Sequence, residues 1–188
     1  MEFPHLNCVD NIEKLSRKLK PTSEDQDADA AVVLLLKLID RDPQILIVER
    51  IKNPTDPWSG QLALPGGKRD PKDRNLKQTV ARETLEETNI NLLDHCRFLG
   101  TMKTLRSTLK PEMRILPFVV LLEAEPAIKL NEELEDFAWL SLRELVKQKG
   151  TVEFDFGEFP AYHARNSAIW GLTFRILERF VHILECLH

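Results

Sequence analysis

Residues 76–88, LKQTVARETLEET, put carboxylates and apolar side chains on the same side of a helix, and this restricts the fold of the chain more than any other feature. At about 100° per residue, Glu83 and Glu87 project about 40° apart, and Glu86 lies about 60° from Glu83. A solvated acidic face should lie opposite the apolar residues, yet Leu76 and Val80 project in nearly the same direction as Glu83 and Glu87. The carboxylates therefore face protein, or a cleft in it. Clustered carboxylates repel one another and are costly to desolvate, so an inward-facing group needs a counter-charge. Oxygen-only ligands favour a hard divalent cation, Mg²⁺ or in its place Mn²⁺, which bridges a few carboxylates to substrate phosphates while keeping several waters.

Gly66-Gly67 stands one short loop ahead of this helix. A glycine pair alone is only a turn, but here it lets the backbone approach the same ion and lets Gly67 offer a carbonyl ligand. Lys68 and Arg69 follow at once and are open between solvated loop charges and phosphate contacts.

The rest of the chain reads as strands with helices interspersed. Asn11 to Leu19 has helical spacing through Ile12, Leu15 and Leu19, and Pro21 with the polar stretch after it ends that helix as a linker. Residues 1–29 are thus expected to form an N-terminal helical arm and linker, and residues 30–188 the main domain. Ala31–Ile39 and Ile45–Val48 predict a hairpin, Gln61–Leu64 a short strand, Phe98–Leu105 and Arg114–Leu122 longer strands, and Trp139 the end of another. Ser141 and Glu144 have the spacing of a capping box, predicting a helix to about Gln148. Apolar residues at helical intervals from Asn166 to Leu187 predict one long terminal helix. The fold class expected is α+β, an α/β/α sandwich with a mixed sheet between helices.

Composition narrows the partners. The 188 residues are 43% hydrophobic, enough for one domain with a full core. A formal charge of -4 gives no global attraction to polyanions, so nucleic acid is not an expected partner. The longest apolar run, Ala30–Leu36, is too short to cross a bilayer, so no membrane association is expected. Cys8, Cys96 and Cys186 are odd in number and lack metal-ligand spacing, which suits free thiols in a cytoplasmic protein. A homodimer is compatible with all of this.

The stretch Arg82-Glu83-Thr84-Leu85-Glu86-Glu87-Thr88-Asn89-Ile90 resembles the second half of the Nudix hydrolase signature. That signature is a Gly, five residues, a Glu, seven residues, then Arg-Glu-apolar-x-Glu-Glu-x-Gly-apolar. Thr84 replaces the aliphatic residue, and Asn89 replaces the Gly, as the next-best residue for a left-handed helix end. Gly67 lies one residue too far from Arg82, and Asp73 stands for the first Glu, with Arg74 at the other register. Gly60 to Gly67 is similar to the segment before the box in coenzyme A pyrophosphatase-like members, and Asp70 and Asp73 resemble that subgroup's acidic loop. Ile169-Trp170-Gly171-Leu172-Thr173 resembles its terminal helix. Leu64 stands where that subgroup has Phe, and Val48-Glu49-Arg50-Ile51 where it has Thr-x-Arg-Ser.

The resemblance implies metal-dependent hydrolysis of a nucleoside diphosphate linked to another group, with coenzyme A or a related conjugate as the expected substrate. NADH, ADP-ribose and dinucleoside polyphosphates are the alternatives, and a non-catalytic nucleotide-binding regulator is the alternative of another class. Glu83 and Glu87 are the expected metal ligands, with Glu86 a third ligand or the holder of metal-bound water. Arg82 is expected to orient a carboxylate. The general base is open between Glu86 and the later Glu132, Glu133 and Glu135, and the catalytic set is Glu86, Glu83, Arg82 and Glu133. Arg50, Lys68, Arg69 and Trp58 are the expected substrate contacts, Trp58 being open between stacking on a base and packing under a loop. Trp170 is expected in the core or an interface.

Overall fold

Ala-Ala-Val-Val-Leu-Leu-Leu, buried on both sides, is the sequence of a central strand. The computed structural model, which describes residues 9–22, 27–39, 42–52, 59–107 and 110–187, places it in the middle of an eight-stranded sheet. Helix α1 (Val9–Lys18) precedes β1 (Ala30–Ile39) and β2 (Asp42–Arg50), then come β3 (Leu62–Ala63), β4 (Gly66–Lys68) and helix α2 (Leu76–Thr88). Next are β5 (Cys96–Thr101), β6 (Leu105–Arg106), β7 (Arg114–Leu122), β8 (Leu134–Ser141) and α3 (Leu142–Lys147). Strands β9 (Lys149–Phe154), β10 (Gly157–Ala164) and β11 (Ser167–Trp170) lead into α4 (Gly171–Glu185).

The main sheet runs β3-β2-β1-β7-β5, with β4 and β7 both paired to β1 and β8 to β2. The β1–β7 pairing is parallel and the others are antiparallel, so the sheet is mixed. Alternation along β1 divides the core. Ala31, Val33 and Leu35 pack with Leu76 and Val80 under α2. Leu34 and Leu36 point to the other face and pack with Leu15 of α1, Leu142 of α3 and Phe174, Leu177 and Phe180 of α4. This is the expected sandwich, and α1 is part of its packing. Gly100 (φ 153) has no room for a Cβ, which would lie 2.6 Å from Leu19 Cβ.

Helix α2 has the expected bounds. Asn75 caps it by accepting from Gln78 N at 2.9 Å, and Asn89 ends it in the left-handed conformation (φ 62), its N–H donating to Leu85 O. Thr84 is fully buried in this helix, and its Oγ1 has no hydrogen-bond partner among the described residues. Replacing such a hydroxyl by a methyl removes a desolvated polar group. Thr84→Val should therefore stabilise the chain by about 1 kcal/mol, seen as a rise of about 2–4 °C in the thermal midpoint.

Three expectations need correction. The single strand from Phe98 to Leu105 is two strands, β5 and β6, because the pairing with β7 lapses after Met102, whose N–H donates to Pro117 O, and resumes at Leu105. The terminal helix begins at Gly171; Ser167–Trp170 instead pairs with β10, so the helical spacing of Ile169 with Leu172 is coincidental. The capping box is half formed: Ser141 Oγ accepts from Glu144 N at 3.1 Å, but the Glu144 carboxylate turns to Lys147 at 2.7 Å. The separate β11-β10-β9 sheet was not anticipated, although Val152 and Phe154 alternate and Asp155-Phe156-Gly157 reads as a turn.

Candidate active site

The two glycines allow α2 to lie directly on the edge of the sheet. Gly66 and Gly67 pair in β4 with Val32 and Ala31 of β1. A Cβ on Gly66 would meet the β1 backbone, 2.6 Å from Val32 Cα, and one on Gly67 would lie 2.5 Å from the Glu83 carboxylate carbon. With only hydrogens there, Gly66 N donates to Glu87 Oε2 at 2.8 Å. Glu87 is only 6% exposed, and desolvation drives its carboxyl up to about 7 despite that bond. Burial also raises Glu83, against the pull of Arg82.

Arg82 ties the site together. Its guanidinium grips Asp73 through two bonds, at 3.2 and 2.9 Å. It also donates to Glu83 Oε1 at 2.9 Å, to Glu86 Oε2 at 3.2 Å and to Lys68 O at 3.1 Å. Hydrogen bonds from Arg82 hold the buried Asp73 carboxyl at about 2, and the same pairing raises Arg82. Because Asp73 titrates below its ordinary 3.8, its stabilising effect is complete above that value and fades as the pH falls toward 2. Asp73→Asn should cost about 1.5–3 kcal/mol by urea unfolding at pH 7, and should reduce turnover about 10- to 100-fold by freeing Arg82 and hence Glu83.

The acidic loop that follows β7 hangs from the end of α2. Lys129 N donates to Thr88 O and Asn131 N to Glu87 O, while Asn131 Oδ1 accepts from Glu133 N. These bonds bring Glu133 beside Arg50, with a nitrogen-to-oxygen distance of 3.8 Å. Glu83, Glu87, Glu133, Arg50, Lys68 and Gly67 all line one cleft of about 550 Å³, together with Trp170, Leu172 and Thr173. A wider hollow of about 770 Å³ beside α3 and the β10–β11 turn has none of the α2 carboxylates.

The NUDIX domain family model matches residues 28–161, most of the chain. The chain belongs to the Nudix hydrolase family. It is similar to a peroxisomal coenzyme A diphosphatase of Caenorhabditis elegans, 28% identical over 76% of this chain and 61% of the relative. It is also similar to NudL, an uncharacterized Nudix hydrolase of Photorhabdus laumondii, 28% identical over 96% of this chain and 99% of the relative. An uncharacterized protein of Schizosaccharomyces pombe is 36% identical over 55% of this chain, so the matched region spans only a third of that relative. Among solved structures, a Nudix hydrolase from M. smegmatis, RenU, superposes with a TM-score of 0.59 at 14% identity, covering 86% of this chain and 88% of RenU. A C. elegans Ap4A hydrolase gives 0.52 at 21% identity over 63% and 83%. Both show the fold.

Nudix hydrolases use divalent cations, and the donor set here fits one. Two carboxylates stand one helical turn apart and desolvation raises both, Glu83 despite its bond from Arg82 and Glu87 despite its bond from Gly66, so a cation between them would offset the cost of burying their charge. Among the described residues no three acidic, imidazole or thiol side chains form a closed cage, so a cation here would rely on water and phosphate oxygens as well.

The candidate residues divide clearly. Glu83, Glu87, Gly67, Glu133, Arg50 and Lys68 converge on the cleft. Glu86 is exposed, and its carboxylate turns to Arg82 instead of the cleft. Arg69 donates to Asp73 O and Arg74 O, bracing the loop instead of facing the cleft. Trp58 lies outside the described residues. Trp170, expected in the core or an interface, is half-buried in the cleft wall. The part played by Asp73 had a signal in its position, six residues after Gly67. Beyond Asp73 the loop turns into the α2 cap at Arg74-Asn75, where Arg74 N donates to Gln78 Oε1 and Gln78 N donates to Asn75 Oδ1.

Proposed function

We propose that this Nudix pyrophosphohydrolase cleaves the diphosphate of coenzyme A or a related nucleoside diphosphate conjugate, with Glu83 and Glu87 holding Mg²⁺ or Mn²⁺. The observation that carries the cation site is Glu87, buried against Gly66 N with its carboxyl raised to about 7. When bound, the cation would neutralise charge building on the phosphate oxygens. Arg50 and Lys68 place positive charge along the cleft for the diphosphate. Arg82 keeps Glu83 aimed, and Gly67 leaves room for the Glu83 carboxylate.

Glu133 is the favoured general base, since it lines the cleft whereas Glu86 is engaged with Arg82 outside it. It would take a proton from water as the water oxygen bonds to one phosphorus, and the bridging oxygen would leave with the other phosphoryl group, giving two phosphorylated products. Two similarities support the coenzyme A assignment: residues 60–67 resemble that subgroup, and one relative is a coenzyme A diphosphatase. A panel of coenzyme A, NADH, ADP-ribose and dinucleoside polyphosphates with Mg²⁺ or Mn²⁺, products identified by mass, tests it. Coenzyme A should have the highest kcat/KM; a tenfold preference for another substrate would overturn the assignment. The thiols of Cys96 and Cys186 are free, in keeping with a reducing compartment such as the cytoplasm.

A further inference from the structure

The small sheet β11-β10-β9 turns its two faces to different tasks. Tyr162 and Ile169, opposite one another in the β10–β11 register, enter the main core. By alternation, Val152, Phe154, Phe159 and Trp170 belong to the other face, which in a half-buried sheet would ordinarily be polar. This face is aromatic instead. The rings of Phe154 and Phe156 stack in parallel at 5.1 Å, and Trp170 leans on Phe154 at 4.6 Å. Phe156 sits at the tip of the β9–β10 turn and is 67% exposed.

Phe154, Phe156 and Trp170 frame a groove of about 460 Å³ that continues the catalytic cleft, since Gln61 and Trp170 line both. No charged side chain lines the groove among the described residues; its polar groups are the neutral Ser59, Gln61 and Ser167. A neutral, aromatic groove does not suit phosphate, and it adjoins a cleft that carries Arg50 and Lys68. A planar, uncharged group joined to a diphosphate matches both compartments at once. A second copy of the chain would need a larger surface than this concave groove, about 800 Å² per partner.

We propose that the groove framed by Phe154, Phe156 and Trp170 seats the nucleobase of the substrate, stacked on the aromatic face while the diphosphate lies over Glu83 and Glu87. This deepens the reading of the protein as a nucleoside diphosphate hydrolase and rests on it.

The test uses the full chain without added cation, titrated with AMP while tryptophan emission is followed, and with ribose 5-phosphate as a baseless competitor. AMP should bind saturably and ribose 5-phosphate should not displace it. Phe156→Ala, at an exposed position, should leave the thermal midpoint in place and weaken AMP binding about 5- to 150-fold, while Phe156→Trp should restore it. In turnover, Phe156→Ala should raise the KM of the preferred nucleotide substrate by a similar factor with kcat within about threefold. Unchanged AMP affinity in Phe156→Ala would overturn the proposal. So would an unchanged KM accompanied by a shift from dimer to monomer in sedimentation, which would make the face a contact between copies. If AMP binding depends on Phe156 but the wild-type chain hydrolyses no member of the panel, the base site stands and the hydrolysis reading falls.

Discussion

Glu87→Gln is expected to reduce kcat about 10³-fold while leaving the protein folded. The amide keeps the shape of the carboxylate, and its oxygen can still accept from Gly66 N, so the packing of α2 on β4 is preserved. What disappears is a negative charge at the centre of the candidate cation site. Transition-state charge stabilisation by a bound cation amounts to several kcal/mol, and about 4 kcal/mol corresponds to that factor. Stability should not fall, because burial already disfavours the charged form of Glu87. The variant should match or exceed the wild-type thermal midpoint in chelator, and should lose the rise that Mg²⁺ gives the wild type. Turnover within threefold of wild type would remove Glu87 from the site.

The second large effect separates two adjacent glycines. Gly66→Ala forces a Cβ against the backbone of β1 at a φ of 140°, which L residues rarely adopt. Backbone cannot step aside cheaply, so a loss of more than about 4 kcal/mol is expected, read as little soluble protein or a collapsed urea midpoint. Gly67→Ala meets only the carboxylate end of Glu83, a flexible group that can move. Its stability should change by less than about 1 kcal/mol, while turnover falls about 10²- to 10³-fold because Glu83 is pushed from its position. If both variants lose stability equally, Gly67 serves the sheet alone.

Much of the main sheet could be read from the chain because its signals are local. The aliphatic runs of β1, β2 and β7 and the α2 periodicity act over a few residues, and those elements fall where expected. The carboxylates were legible for the same reason: the angle between Glu83 or Glu87 and Val80 is a property of one helix. Arg69 and Glu86 were not, because their orientation depends on carbonyls of the 73–74 loop and on Arg82. Trp170 was misplaced because its helical spacing from Thr173 hides a strand end whose partner lies nine residues back, at Ala161. The β9–β10 hairpin is half polar and short, so its pairing, and the aromatic face that results, emerges only in three dimensions.

The backbone bonds from Lys129 and Asn131 to the last carbonyls of α2 carry a lesson for redesign. They clamp the loop at the end that carries Glu133, so residues 129–133 form a short tether of set length between Thr88 and Glu133. Extra residues placed there would swing Glu133 away from Arg50, whereas the exposed residues 123–125 lie upstream of the clamp and could absorb them. Shuffling that segment among relatives is therefore a matter of cutting before Ile128, and a graft joined after it would exchange the cleft wall together with the loop.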